Sequence, residues 1–71
     1  MNWKTLKSRY PEIWDEVYDG MVTDLKQCMS GADIEQFNSG NKHSQISRIA
    51  HNAAFIACDA IRKNKQLIDL K

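Results

Sequence analysis

Little in this sequence can interrupt a helix. One proline and three glycines occur among 71 residues, and the stretch from Ile49 to Lys63, IAHNAAFIACDAIRK, contains neither. No run of alternating or β-branched residues bounded by turn residues appears, which argues against a sheet, and there is no internal repeat or low-complexity tract. Charge of one sign is also lacking. Ten Lys and Arg stand against nine Asp and Glu, so there is no global electrostatic case for nucleic acid or an anionic membrane as partner, and either would have to be met by a local patch. No stretch approaches the roughly 18 consecutive apolar residues of a membrane span, and MNWKTLKSRY lacks the apolar centre of a signal peptide. A cytoplasmic protein with reduced cysteines is expected.

The two cysteines fit neither a disulfide nor a metal site. Motifs of the C-x-x-C or H-x-x-x-H kind are absent, and His51 and Cys58 stand two helical turns apart, roughly 10 Å along an axis, too far for one zinc ion. In a helical hairpin Cys28 and Cys58 would differ in level by about 18 Å. Cys28 is expected to be a small core residue and Cys58 to be partly buried. No cofactor or metal is expected.

What the sequence does contain is helical periodicity. Asn2 can cap a short leading helix carrying Trp3 and Leu6, and Pro11 suits the first turn of the next. From Pro11 to about Met29 apolar residues recur without a break at three- and four-residue steps, including Ile13, Trp14, Val17, Tyr18, Met21, Val22 and Leu25. Gly31 offers a left-handed stop. Gly20 is the oddity, costing roughly 1 kcal/mol relative to alanine in a helix interior; either a bulky group presses on the backbone there or the residue is a tolerated imperfection. ADIEQF can make a helical turn or two with Ile34 and Phe37 inward, and NSGN is the clearest loop. Ser44 then caps a second long helix whose expected inner face is broad: Ile46, Ile49, Ala50, Ala53, Ala54, Ile56, Ala57, Ala60 and Ile61, with Leu67 and Ile68 as extensions.

The expected fold is therefore all-α: an antiparallel helical hairpin with a short flanking helix, making a small three- or four-helix bundle. It forms one domain over residues 1–71, divided into a leading helix (1–10), a first long helix (11–30), a connection with a helical turn (31–43) and a second long helix (44–67). Antiparallel pairing would set the acidic start of the first long helix, Glu12, Asp15, Glu16 and Asp19, beside Arg62, Lys63 and Lys65 of the second. Trp14, Tyr18 and Met21 would face the alanines. Two helices cannot cover so wide an apolar arc, which leaves room for the leading segment, the ADIEQF turn, the C-terminal QLIDLK or a second copy of the chain.

Function is less legible. Phe55 falls on the charged side of its helix, among Arg48, His51, Cys58 and Arg62. It receives the leading helix through Trp3, Leu6 or Tyr10, or anchors an interface with a separate subunit or partner, or is a lone exposed aromatic with no role. The expectation is a small non-catalytic interaction module, regulatory or adaptor-like, self-associating as a homodimer. Its partner surface would be Phe55, His51, Cys58 and Arg62 if it pairs through the last helix, or Trp14, Tyr18 and Met21 if through the first. His51 near Asp59 could be read as an oriented base, but so compact a hairpin promises little concave surface for catalysis. The alternative is a DNA- or RNA-binding regulator. The segment from Lys42 to Asn52 resembles the start of a recognition helix in the helix-turn-helix family, which implies base or phosphate contacts from Lys42, Gln45, Arg48 and Asn52. It departs from that family at Glu35, Gln36 and Asn41, where apolar or small residues belong, and in the longer loop NSGN.

Overall fold

The computed structural model describes residues 2–69, and side chains through residue 65. Among them are four helices and no strand: α1 (Trp3–Arg9), α2 (Pro11–Cys28), α3 (Gly31–Asn38) and α4 (Gln45–Asp69).

The helix boundaries follow from side chains that satisfy free backbone groups. The Asn2 side chain accepts from the Thr5 N–H at 2.9 Å and opens α1. Seven residues are too few for a helix to persist alone, so α1 depends on burying Leu6, which has no exposed surface. Tyr10 joins two helices. Its N–H donates to the Leu6 carbonyl and its own carbonyl accepts from the Trp14 N–H, both at 2.9 Å, while Pro11 occupies the first position of α2, where no N–H is needed.

Gly31 does not end α2 as expected. The chain leaves the helix at Met29 in an extended conformation, and Ser30 at once caps α3. Its hydroxyl accepts from the Asp33 N–H at 3.3 Å and donates to the Asp33 carboxylate at 2.8 Å. The S-x-x-D spacing from Ser30 to Asp33 is the local signal for such a cap, and it lies directly beside the glycine. The glycine stop occurs one helix later. Gly40, at φ +86°, is the one described residue with positive φ. Its N–H donates to the Phe37 carbonyl at 3.0 Å while the Asn41 N–H donates to the Gln36 carbonyl at 3.3 Å, the paired closure of a Schellman motif. Ser44, fully buried, then accepts from the Ser47 N–H at 3.2 Å and starts α4 as its sequence position implied.

The long helices run antiparallel. Trp14 meets His51 with ring centroids 5.3 Å apart, and four residues further along α2 the Tyr18 hydroxyl lies 3.4 Å from that of Ser47, four residues back along α4. Helix α1 packs on both, closing a core of Leu6, Trp14, Ala54 and Cys58. Tyr10, Ile13, Val17, Tyr18 and Phe55 pack around it, and α3 rests against α4. The whole is an elongated bundle of 49 × 20 × 15 Å.

Two packing expectations are corrected. The inner line of α4 is Ile46, Ala50, Ala54 and Cys58, all at 0 % exposure, whereas Ile49 is 36 % and Ile56 66 % exposed and Ala60 also faces out. Phe55 and Ile56 are adjacent, about 100° apart around the helix, and one core cannot take both fully. Docking of α1 on the Phe55 side decides between them, because it supplies Leu6 as cover there. Nor do the acidic start of α2 and the basic residues of α4 pair. Arg62 and Lys63 both bind Asp59 on their own helix, at 2.9 and 3.0 Å, and no ion pair between helices forms among the described residues. A partner one turn away on a rigid helix costs less side-chain ordering than one across a gap. The expected contributions of Leu67 and Ile68 lie outside the described side chains.

Candidate interaction surfaces

Of the four residues expected to form a partner surface, the structure takes two into the interior. Cys58 is enclosed, and burial pushes its thiol pKa up, so it remains neutral. Phe55 is half-buried against the core, packing within the chain. Arg62 is held by Asp59 through both its Nε and a terminal nitrogen, at 3.1 and 2.9 Å. The hydrogen bonds from Arg62 and then Lys63 hold the Asp59 carboxyl below the usual carboxylate range. Asp59 is thus occupied and does not orient His51. The alternative set on α2 is also internal: Trp14 is 3 % exposed, and Tyr18 and Met21 are half-buried. Cys28, expected in the core, is exposed, because its turn of α2 extends beyond the stretch that α1 and the core of α4 cover.

His51 forms a triangle with two indoles. Its ring stands edge-on to Trp3 at 4.9 Å and to Trp14 at 5.3 Å, with the two indoles 6.1 Å apart. Such pairs contribute about 0.5–1.5 kcal/mol each beyond area burial, which ties α1 to the hairpin. This cluster forms a wall of a groove of about 820 Å³ between α1, α2 and α4. A concavity of this size was not anticipated. The signal for it was Trp3, one turn before Leu6: with Leu6 in the core, Trp3 is carried to the mouth of the same interhelical seam, where it remains 39 % exposed.

The residues of the nucleic-acid alternative are all exposed. Lys42, Arg48 and Asn52 line the groove, with Lys7 across it; Gln45 does not line it. Asp15 and Asp19 line the same groove. Two carboxylates beside three cations offset most of the attraction for a phosphate backbone, on which such binding depends. The helix preceding α4 is separated from it by six residues rather than a tight turn.

The second surface is the outer side of α4. Ile49, Ala53, Ile56 and Ala60 recur at steps of four, three and four residues and so lie along one line. Ile49, Ile56 and Ala60 are exposed and Ala53 half-buried. Among the described residues no group of three or more His, Cys, Asp or Glu side chains is gathered to hold a metal ion, and no helix is long and apolar enough to cross a membrane. The fold defines a small all-α bundle, and no protein-family model, curated protein or solved structure matches the chain.

Proposed function

We propose that this protein is a small non-catalytic interaction module, adaptor-like or regulatory in role, that binds protein through the outer face of α4 and self-associates as a homodimer. The exposed Ile56, aligned with Ile49 across Ala53, carries the reading. Covering an exposed isoleucine recovers up to about 1.5–3 kcal/mol. Isolated apolar side chains on a surface are ordinary; two isoleucines in line on the solvent side of one helix offer a contact face. The exposed free thiol of Cys28 suits a reducing compartment, and on that ground we place the protein in the cytoplasm.

Sedimentation velocity over a wide concentration range tests the proposal. The expected result is a mass that rises toward twice the chain mass, and an Ile56→Lys variant that keeps its helicity and remains monomeric throughout. A wild-type protein of constant monomer mass at every concentration rules out self-association.

A further inference from the structure

We propose that the groove between α1, α2 and α4 binds a small zwitterion of dipeptide size, with its cationic group at the α2 bank, its anionic group at the α4 bank and an aromatic side chain against Trp3. The proposal is separate from the contact face of α4 and uses neither Ile49 nor Ile56.

The register of the hairpin places the charges. Trp14 lies level with His51 and Tyr18 with Ser47, and these four residues form the floor of the groove, buried or half-buried below exposed banks. Asp15 and Asp19 each follow a floor residue by one position on α2, as Asn52 and Arg48 do on α4. Asp19 therefore stands level with Arg48 and Asp15 with Asn52, with about 6 Å between the two levels. Lys42, just before α4, extends the cationic bank. One bank is thus acidic and the other basic, and among the described residues no ion pair joins them. The floor holds them apart, between helix axes that pack roughly 8–10 Å from each other.

The occupant follows from what covering the groove would cost. An apolar ligand would strip water from five charged side chains and return nothing to them, and burying a charge without a partner is strongly unfavourable. A polyanion meets the two aspartates; a polycation meets Lys7, Lys42 and Arg48. Only a ligand carrying both charges replaces the lost hydration on both banks, through charge-assisted hydrogen bonds. Its length is set by the width of the groove. A free α-amino acid has both charges on one carbon and cannot face two banks, whereas two residues fully extended span about 7 Å. The Asn52 amide and the hydroxyls of Tyr18 and Ser47, whose mutual hydrogen bond is long at 3.4 Å, have capacity left for the peptide group between the charged ends. The partly exposed indole of Trp3 supplies an apolar end, and a volume of about 820 Å³ lies within the range of small-ligand sites.

Nuclear magnetic resonance titration of the whole chain with glycyl-phenylalanine tests the proposal, against its N-acetyl, C-amide and doubly blocked forms. For a ligand of this size the expected dissociation constant is on the order of 0.1–1 mM, with shifts at the Trp3 indole N–H and the backbone amides of Asp15, Arg48 and Asn52, and none at Lys63. Blocking either end should weaken binding at least about tenfold, the loss of one hydrogen-bonded charge. In the double variant Asp15→Asn, Asp19→Asn, with helicity checked by circular dichroism, the N-acetyl form should bind at least as well as the parent peptide, because no carboxylate is left for the ammonium group to meet. Equal affinity of the wild type for all four forms would overturn the proposal, as would shifts that lie away from the groove or are absent at about 10 mM peptide. Tighter binding of the N-acetyl form than of the zwitterion by the wild type would make the groove an anion site and overturn it equally.

Discussion

Replacing Gly20 by alanine should stabilise the protein. Gly20 is the tenth residue of the eighteen in α2, is exposed and has no positive φ. A Cβ built there meets nothing within 4 Å, so alanine can adopt the native backbone without strain or overlap. The tolerated imperfection, rather than a bulky neighbour, is what the structure contains. The gain has two descriptions of one effect. Glycine is about 0.8–1.0 kcal/mol less favourable than alanine inside a helix, largely because its unfolded chain has more conformations to lose. About 1 kcal/mol is roughly a fivefold shift in the folding equilibrium, and for a domain of this length corresponds to a rise in Tm of about 4–8 °C. Urea titration followed by far-UV circular dichroism, at a concentration where the wild type is monomeric, should show a higher midpoint with an unchanged slope. A lower midpoint would refute the reasoning, since it would mean that something presses on the backbone at this position in the folded protein. If destabilisation appeared only at high concentration, α2 rather than α4 would be the face that meets the second copy.

Three further outcomes follow from the packing. At low concentration Phe55→Ala should cost about 2–3 kcal/mol, less than for a fully buried ring, while Ile56→Ala should change stability by no more than about 0.5 kcal/mol; equal effects in chemical denaturation would show that the inner face of α4 is misassigned. A thiol-specific chromogenic reagent should label Cys28 rapidly and the enclosed, neutral Cys58 only at the rate at which the bundle opens, so two fast phases would contradict the burial of Cys58. The Asp59 carboxyl, held below its ordinary range by Arg62 and Lys63, contributes stability that is fully present above the unfolded-state value near pH 4 and fades as the pH falls through the lowered folded-state value. The stability difference between the wild type and Asp59→Asn should therefore be constant above that window and shrink as the pH falls through it, and a difference that does not change with pH would deny the hydrogen bonds to the carboxylate any energetic role.

The nucleic-acid alternative shows how much the meaning of side-chain types depends on their neighbours. Lys42, Arg48 and Asn52 have the chemistry for phosphate and base contacts, and the structure gathers all three on one groove. What the linear pattern could not supply was the company they keep. Asp15 and Asp19, some thirty residues away in sequence, reach the same groove because α2 runs antiparallel beside the start of α4.

Local rules were enough for the existence of the helices, the caps at Asn2 and Ser44, the break at Pro11 and the antiparallel hairpin, because each depends on residues within a turn of one another or on a period that a single helix displays. The closure at Gly31 failed within that same local logic, since Ser30 could begin a helix where the glycine seemed to end one. Rotation of α4 about its axis was beyond any local rule. Its apolar residues extend more than halfway around, from Phe55 to Ile56 by way of the alanines, and periodicity alone gives such a helix no preferred inward direction. Only the docking of α1, with Leu6 entering beside Cys58 and Trp3 closing over His51, sets which edge of that arc is buried and which is turned to solvent.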